Sequence, residues 1–159
     1  MDHAMRRRDR ALSESEALEI LARAEYGVLA CVGEDGWPYA VPVNHVLSGD
    51  SIYIHGALEG HKLLNLAHES RVSYCVVANA QVLPERLSTL YESAIAFGQA
   101  SLVQDEAERR SALRELARRF APGHASTSEQ AIQQHIEHTT VLRIHIQRIT
   151  GKAHRSSVQ

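Results

Sequence analysis

The sequence predicts an antiparallel β-barrel with peripheral helices, an α+β architecture, and three observations lead there. Alternating residues recur in several short runs, among them Ile52–His55 and Arg71–Ala78, with the two-residue period of a strand that has two distinct faces. Turn-forming residues separate the runs, as in Gly33-Glu34-Asp35-Gly36 and Ser48-Gly49-Asp50. A few stretches of helical spacing interrupt the series. Composition alone leaves open any small α+β fold.

A chain of 159 residues fits one compact domain. We place that domain at residues 13–152, between a basic, solvated N-terminal arm (residues 1–12, with Met5-Arg6-Arg7-Arg8-Asp9-Arg10) and a disordered tail (residues 153–159). Ser13-Glu14-Ser15-Glu16 has the capping-box pattern and starts a helix that runs to Ala24, with Leu18 and Leu21 inward. Tyr26–Val32 is too apolar for a one-sided strand and predicts burial on both faces. Trp37–Val46 returns as the second strand. Pro38 and Pro42 remove two ladder donors from it and confine it to an edge, an end or a bulge.

Ile52–His55 is the third strand and Arg71–Ala78 the fourth, the latter with Val72, Tyr74 and Val76 on one face. Asn79–Leu90 lacks periodicity, contains Pro84 and reads as a surface excursion. Tyr91–Gln104 is the longest strand, with Ala94, Ala96, Gly98 and Ala100 on one face and Ile95, Phe97 and Val103 on the other. A ribbon of tiny side chains lets another backbone, a flat ring or a partner subunit come close, and tight packing within the sheet explains it equally well. Asp105 caps a helix with an apolar stripe of Leu113, Leu116, Ala117 and Phe120. Arg109, Arg110, Arg114, Arg118 and Arg119 crowd its solvated side, and Pro122-Gly123 ends it. Ser128–His138 is a further short helix, and Thr140–Ile149 closes the domain with Leu142, Ile144 and Ile146 inward.

The chemistry is expected in Ile52–Leu66. Its strand ends at Gly56, a small-residue turn follows, and from Gly60 a helix begins with Leu63, Leu66 and Ala67 on one face. Lys62 sits in the first turn of that helix. There the free N–H groups and the positive end of the helix dipole point the same way as its charge, which makes an anion seat. An ordinary strand–loop–helix with a solvated lysine fits the same pattern.

Tyr53-x-His55-Gly56-Ala57-x-x-Gly60-His61-Lys62, followed by Asn65 and Leu66, resembles the motif of the pyridoxamine-phosphate-oxidase-like flavoproteins, and within them the nitroimidazole-resistance, nitroreductase-like branch. Asp35-Gly36-x-Pro38, Pro42-Val43-Asn44, Tyr91-x-Ser93 with Gly98, and Thr150-Gly151-Lys152 add to the resemblance, which runs from Met5 to Lys152. It implies a six-stranded, FMN-binding split β-barrel and a homodimer with the cofactor at the subunit interface. It also implies an FMN-dependent oxidoreductase acting on a small-molecule substrate. On that resemblance Lys62 pairs with the FMN phosphate, aided by Gly60 and His61, while His55, Gly56 and Ala57 line the ribityl chain. Val43, Asn44 and His45 meet the isoalloxazine edge, and Tyr91 and Ser93 face the cofactor. No catalytic residue is assigned, His55 being the candidate for substrate contact. Oxidation of pyridoxamine phosphate itself is not expected, because the longer C-terminal segment that binds that substrate is missing.

The alternative is a non-catalytic haem- or flavin-binding carrier or sensor. His45, His55 and His61 are its candidate haem ligands, without the Cys-x-x-Cys-His of covalent attachment. A metal site is not expected, since His124, His135 and His138 lack further ligands at a suitable spacing. No Gly-x-Ser-x-Gly elbow supports nucleophilic catalysis. A formal charge of -2 argues against a nucleic-acid partner. No apolar run approaches the ~20 residues of a membrane span. The absence of a signal peptide, and Cys31 and Cys75 read as free thiols, point to the cytoplasm.

Overall fold

The computed structural model describes residues 5–156; what the sequence predicts for residues 1–4 of the arm and 157–159 of the tail lies outside them. The described chain runs β1 (Ala11–Leu12), α1 (Glu14–Arg23), β2 (Gly27–Val32), β3 (Pro38–Val43), β4 (Val46–Ser48), β5 (Ser51–Gly56), α2 (His61–His68), β6 (Arg71–Leu83), β7 (Ser88–Leu102), α3 (Glu106–Phe120), α4 (Ala125–His135) and β8 (Thr140–His154). All strands belong to one antiparallel sheet in the order β3-β2-β6-β7-β8-β5-β4, with β1 added on β8. Among the described residues no helix is long and apolar enough to cross a membrane.

The two ends of this sheet, β3 and β4, are joined by only Asn44 and His45. Laid flat, they would stand about 29 Å apart at the usual strand spacing of about 4.8 Å. The link spans at most about 10 Å. The sheet therefore rolls up, and Tyr39, Val41 and Val43 of one edge pack on the same core as Leu47 of the other. This is the expected split barrel, but with eight strands instead of six. One of the additions is β1. The other arises because the expected strand Trp37–Val46 breaks at Asn44-His45, whose side chains turn to backbone carbonyls: Asn44 Nδ2 donates to Glu25 O (2.9 Å), and the His45 Nε2–H to Leu21 O (2.8 Å).

Inside the barrel Tyr74 is fully buried and its hydroxyl donates to Val43 O at 2.9 Å. Burial raises its pKa well above the ordinary phenol value. Ala94, Ala96 and Ala100 are buried in the same core. The small-residue face of β7 is thus an internal packing surface, which corrects its reading as a surface for a partner subunit. The close backbone is β8: a Cβ on Gly98 would lie 2.0 Å from His145 O, beside the bulge at Phe97/Gly98. Helix α1 has the predicted capping box at Ser13 and Glu16. It buries Ala17, Ile20 and Leu21, while Leu18 packs at the margin.

Asn79–Leu90 is not a loop. Here β6 and β7 continue as a paired arm from Asn79↔Glu92 to Leu83↔Ser88 and turn over Pro84–Arg86 and a left-handed Leu87 (φ 45°). Most of its residues are exposed or half-buried on both sides, so the strands carry no alternation for the sequence to display. Similarly, β8 runs on to His154, past the expected domain end, and Arg155 is held by Glu92 (Nε to Oε1, 2.7 Å). Helices α3 and α4 form a second core through Ala112, Leu113, Leu116, Ile132 and Ile136 with Val46, Val103 and Val141. Phe120, predicted inward, is exposed, and α4 begins three residues before the expected Ser128. Of the arginines assigned to solvent, Arg119 donates to Ala24 O and Arg114 pairs with Glu129 of α4.

His45 is wholly buried, and its Nδ1 has no hydrogen-bond partner. Its pKa is pushed below the ordinary 6.5, first by burial; the Leu21 carbonyl opposes this and the Arg119 charge adds to it. Below about pH 6.5 the unfolded chain takes up a proton that the folded chain refuses, so stability falls as pH drops, by up to about 1.4 kcal/mol per unit. His45→Gln keeps a donor for Leu21 O without the titration. We expect the urea midpoint of the parent to fall between about pH 7 and about pH 5.5, and that of the variant to fall less. Equal losses in both would remove His45 from the acid response.

Candidate functional site

Antiparallel pairing of β5 with β8 sets the faces at the site. Ile52 and Ile54 lie opposite Ile144 and Leu142 and point into the core, so Gly56, two residues further on, continues that face at the strand end. His55 projects to the other side and is exposed. Past the turn, Gly60 adopts φ +140°, a backbone open to glycine, and caps α2 without a side-chain hydrogen bond. Its carbonyl accepts from Leu63 N (2.9 Å) and Leu64 N (3.3 Å), which leaves the earlier N–H groups of the helix without intrahelical partners.

Lys62 folds back from that first turn over the strand end. A Cβ on Gly56 would lie 3.1 Å from Lys62 Nζ and 3.2 Å from Cε, so the missing side chain is the space the ammonium uses. Among the described residues Lys62 has no carboxylate partner. The helix is fastened from the far side by Asn65, which is buried and donates from Nδ2 to Cys31 Sγ at 3.6 Å. His61 packs against Tyr39 with its ring tilted by 44°, the ring centroids 4.2 Å apart. Leu63 and Leu66 pack on the core as predicted, but Ala67 is exposed and Asn65 takes the buried position. A polar residue amid Leu63, Leu64 and Leu66 carried no signal of burial; its partner Cys31 is thirty-four residues away.

The structure thus brings together Gly56, Gly60 and Lys62, with His55 and Ala57 beside them and His61 turned toward Tyr39. The imidazole of His55 is held below its ordinary pKa, first by the protein mass that displaces its water and then by the Lys62 charge. It is exposed yet uncharged at neutral pH. Val43 uses its carbonyl on Tyr74, Asn44 ties down Glu25, and His45 is interior. The side chain of His45 therefore serves barrel closure and, being wholly buried, does not present the ligand-facing surface anticipated for it, whereas Asn44 ties Glu25 and remains exposed.

Tyr91 and Ser93 stand at the other end of β8. Gly56 and His55 pair with Thr140 and Val141, whereas Ser93 and Tyr91 pair with Lys152 and His154. Roughly 35 Å of strand separates the two groups at about 3.3 Å per residue. Tyr91 lies under Lys152 Nζ (5.6 Å to the ring centroid). Partial burial would raise its pKa, but hydrogen bonds and charge from Arg10 and Lys152 outweigh it and hold the phenol below the ordinary value. That basic surround, assembled from the arm and β8, was not foreseen from the sequence. Among the described residues no three His, Cys, Asp or Glu side chains gather as a metal site.

Comparison with known proteins places this geometry. No curated protein matches the sequence. Among solved structures, the flavocytochrome Anf3 of Azotobacter vinelandii is similar with a TM-score of 0.82 at 22% identity, over 97% of this chain and 73% of that one. The FAD and heme binding protein of Mycobacterium smegmatis gives 0.77 at 26% identity, over 91% and 72%. A candidate 5-nitroimidazole antibiotic resistance protein of Bacteroides thetaiotaomicron gives 0.74 at 23%, over 89% and 85%. The family model described as pyridoxamine 5'-phosphate oxidase matches residues 13–153, which takes in the sheet from β2 onward and the whole β5–α2 seat. This chain belongs to the pyridoxamine 5'-phosphate oxidase family.

Proposed function

We propose that the protein binds FMN at the β5–α2 seat and serves as a flavin-dependent oxidoreductase of small molecules. The observation that carries this reading is the Lys62 ammonium, which has no carboxylate partner, poised over Gly56 at an uncapped helix start. A phosphate fits those residues: the lysine supplies charge, the first-turn N–H groups supply donors, and Gly56 leaves room. One lysine charge at one helix start matches a single terminal phosphate, which favours FMN among flavins. When bound, the flavin supplies hydride and electron transfer. The chain's own residues bind and orient: Lys62 and the α2 start hold the phosphate end, and the neutral His55 ring offers a substrate a hydrogen bond without charge.

Two observations support a shared site in a homodimer as part of this proposal. Tyr91 and Ser93 are too far along β8 to meet a cofactor held at Lys62 of the same chain, whereas a second copy can bring them there. The opposite face of β7 also remains half open, with Val28, Cys75 and Ile95 in one register row and Ala30, Ser73 and Phe97 in the next. On the arm that extends this surface, Val82 is 69% and Leu87 97% exposed. Covering such a face in an obligate dimer would bury on the order of 2,000 Å² or more.

A second reading, haem binding, draws on His55, the candidate ligand whose ring is exposed and free of a ring partner; of the similar structures above, one is described as FAD and heme binding and another as a flavocytochrome. The absorption spectrum of purified protein decides between them: two broad bands for flavin, a sharp Soret band for haem.

Lys62→Ala should leave the fold intact and weaken FMN by about 1.5–3 kcal/mol, the range for a hydrogen bond to a charged group. Riboflavin, which lacks the phosphate, should bind parent and variant alike. Titration showing equal FMN affinity in both would remove the seat. For assembly, light scattering should give a dimer, and Phe97→Glu should yield monomers that bind flavin poorly. A flavin-loaded parent of 17.6 kDa would overturn the shared site.

A further inference from the structure

Helices α3 and α4 enclose a cleft of about 440 Å³, and no residue of the β5–α2 seat lines it. It arises from side-chain size. Arg114 clamps Glu129 across the two helices with bonds of 2.7 and 2.6 Å, and Ile132 plugs the bottom of the contact. Beyond that clamp the facing positions are Ala117 and Ala121 on α3 and Ala125 and Ser128 on α4, too small to fill the space. The walls are mostly apolar, and the volume lies within the range that holds small organic ligands.

Charge at the cleft is asymmetric. Glu129 is spent on Arg114. Arg118, which also lines it, has a 73% exposed side chain, and among the described residues its only carboxylate contact is Glu115 at 3.6 Å, beyond hydrogen-bond length. One guanidinium therefore keeps its donors free beside an apolar floor. We propose that the cleft between α3 and α4 binds an amphipathic monocarboxylate, its hydrocarbon on Ala117, Ala121 and Ile132 and its carboxylate on Arg118. A single unspent cation with a neighbouring carboxylate favours one negative charge over two. Nothing in this inference depends on the flavin reading.

The test uses the full chain with octanoate and octan-1-ol as probes, followed by amide shifts in NMR spectra. Octanoate should shift Ala117, Ala121, Gly123, Ala125 and Ser128 saturably, and octan-1-ol should bind the same residues more weakly. Ala125→Leu, at an exposed position that points the added side chain into the cleft space, should abolish both. Arg118→Gln should weaken octanoate about tenfold and leave octan-1-ol unchanged, a factor worth about 1.4 kcal/mol. Thermal melts check that both variants are folded. Shifts that do not saturate, that persist in folded Ala125→Leu, or that are equal for acid and alcohol would overturn the proposal. So would unchanged octanoate affinity in Arg118→Gln.

Discussion

The barrel depends on a two-residue closure. Asn44 and His45 must carry the chain from one edge of the sheet to the other, and at that point the ladder cannot continue. Side-chain bonds to main-chain carbonyls hold the junction instead: Asn44 to Glu25, His45 to Leu21 and Tyr74 to Val43. The first two lie at the end of α1 and its exit, so the closure and the packing of α1 stabilise each other. An imidazole with one unpaired nitrogen in the core costs about 1–3 kcal/mol. Against that cost, His45 donates to Leu21 O and packs edge-on against Tyr74, whose ring centroid is 5.1 Å away.

The seat inherits its geometry from this closure. Strand β5 follows directly from β4, so the register Ile52↔Ile144 places Gly56 at the strand end on the core side. Helix α2 is anchored on the other half of the barrel, through Cys31 of β2 and Tyr39 of β3. Lys62 therefore reaches back across the junction that closure makes between the two edges of the sheet. A change that loosened the Asn44-His45 link would move the lysine relative to Gly56 without touching either residue.

Strand β7 divides its two faces between two tasks. The inner one is reduced to Ala94, Ala96, Gly98 and Ala100, which lets β8 come within 2.0 Å of where a Gly98 Cβ would stand. The outer one keeps Ile95 and Phe97, the latter under the Arg148 guanidinium at 4.9 Å. Small residues inside allow a tight roll, and the larger ones are left on the surface that the roll turns outward.

Much of this was legible in the sequence, because periodicity reports which side of an element is buried. The capping box at Ser13, the inward row Val72, Tyr74 and Val76, and the glycines around Lys62 follow from local rules, and the motif in Tyr53–Lys62 marked the family. The arm of β6 and β7 escaped because a strand exposed on both faces has no alternation. Asn44, His45 and Asn65 escaped for a different reason. Each is a polar residue whose partner is a distant carbonyl or thiol, and a hydrogen bond between positions nineteen to thirty-four residues apart leaves no trace in local pattern. Which face of β7 turns inward was likewise undecided, since both faces are apolar and only the direction of curl, set by the closure, chooses between them.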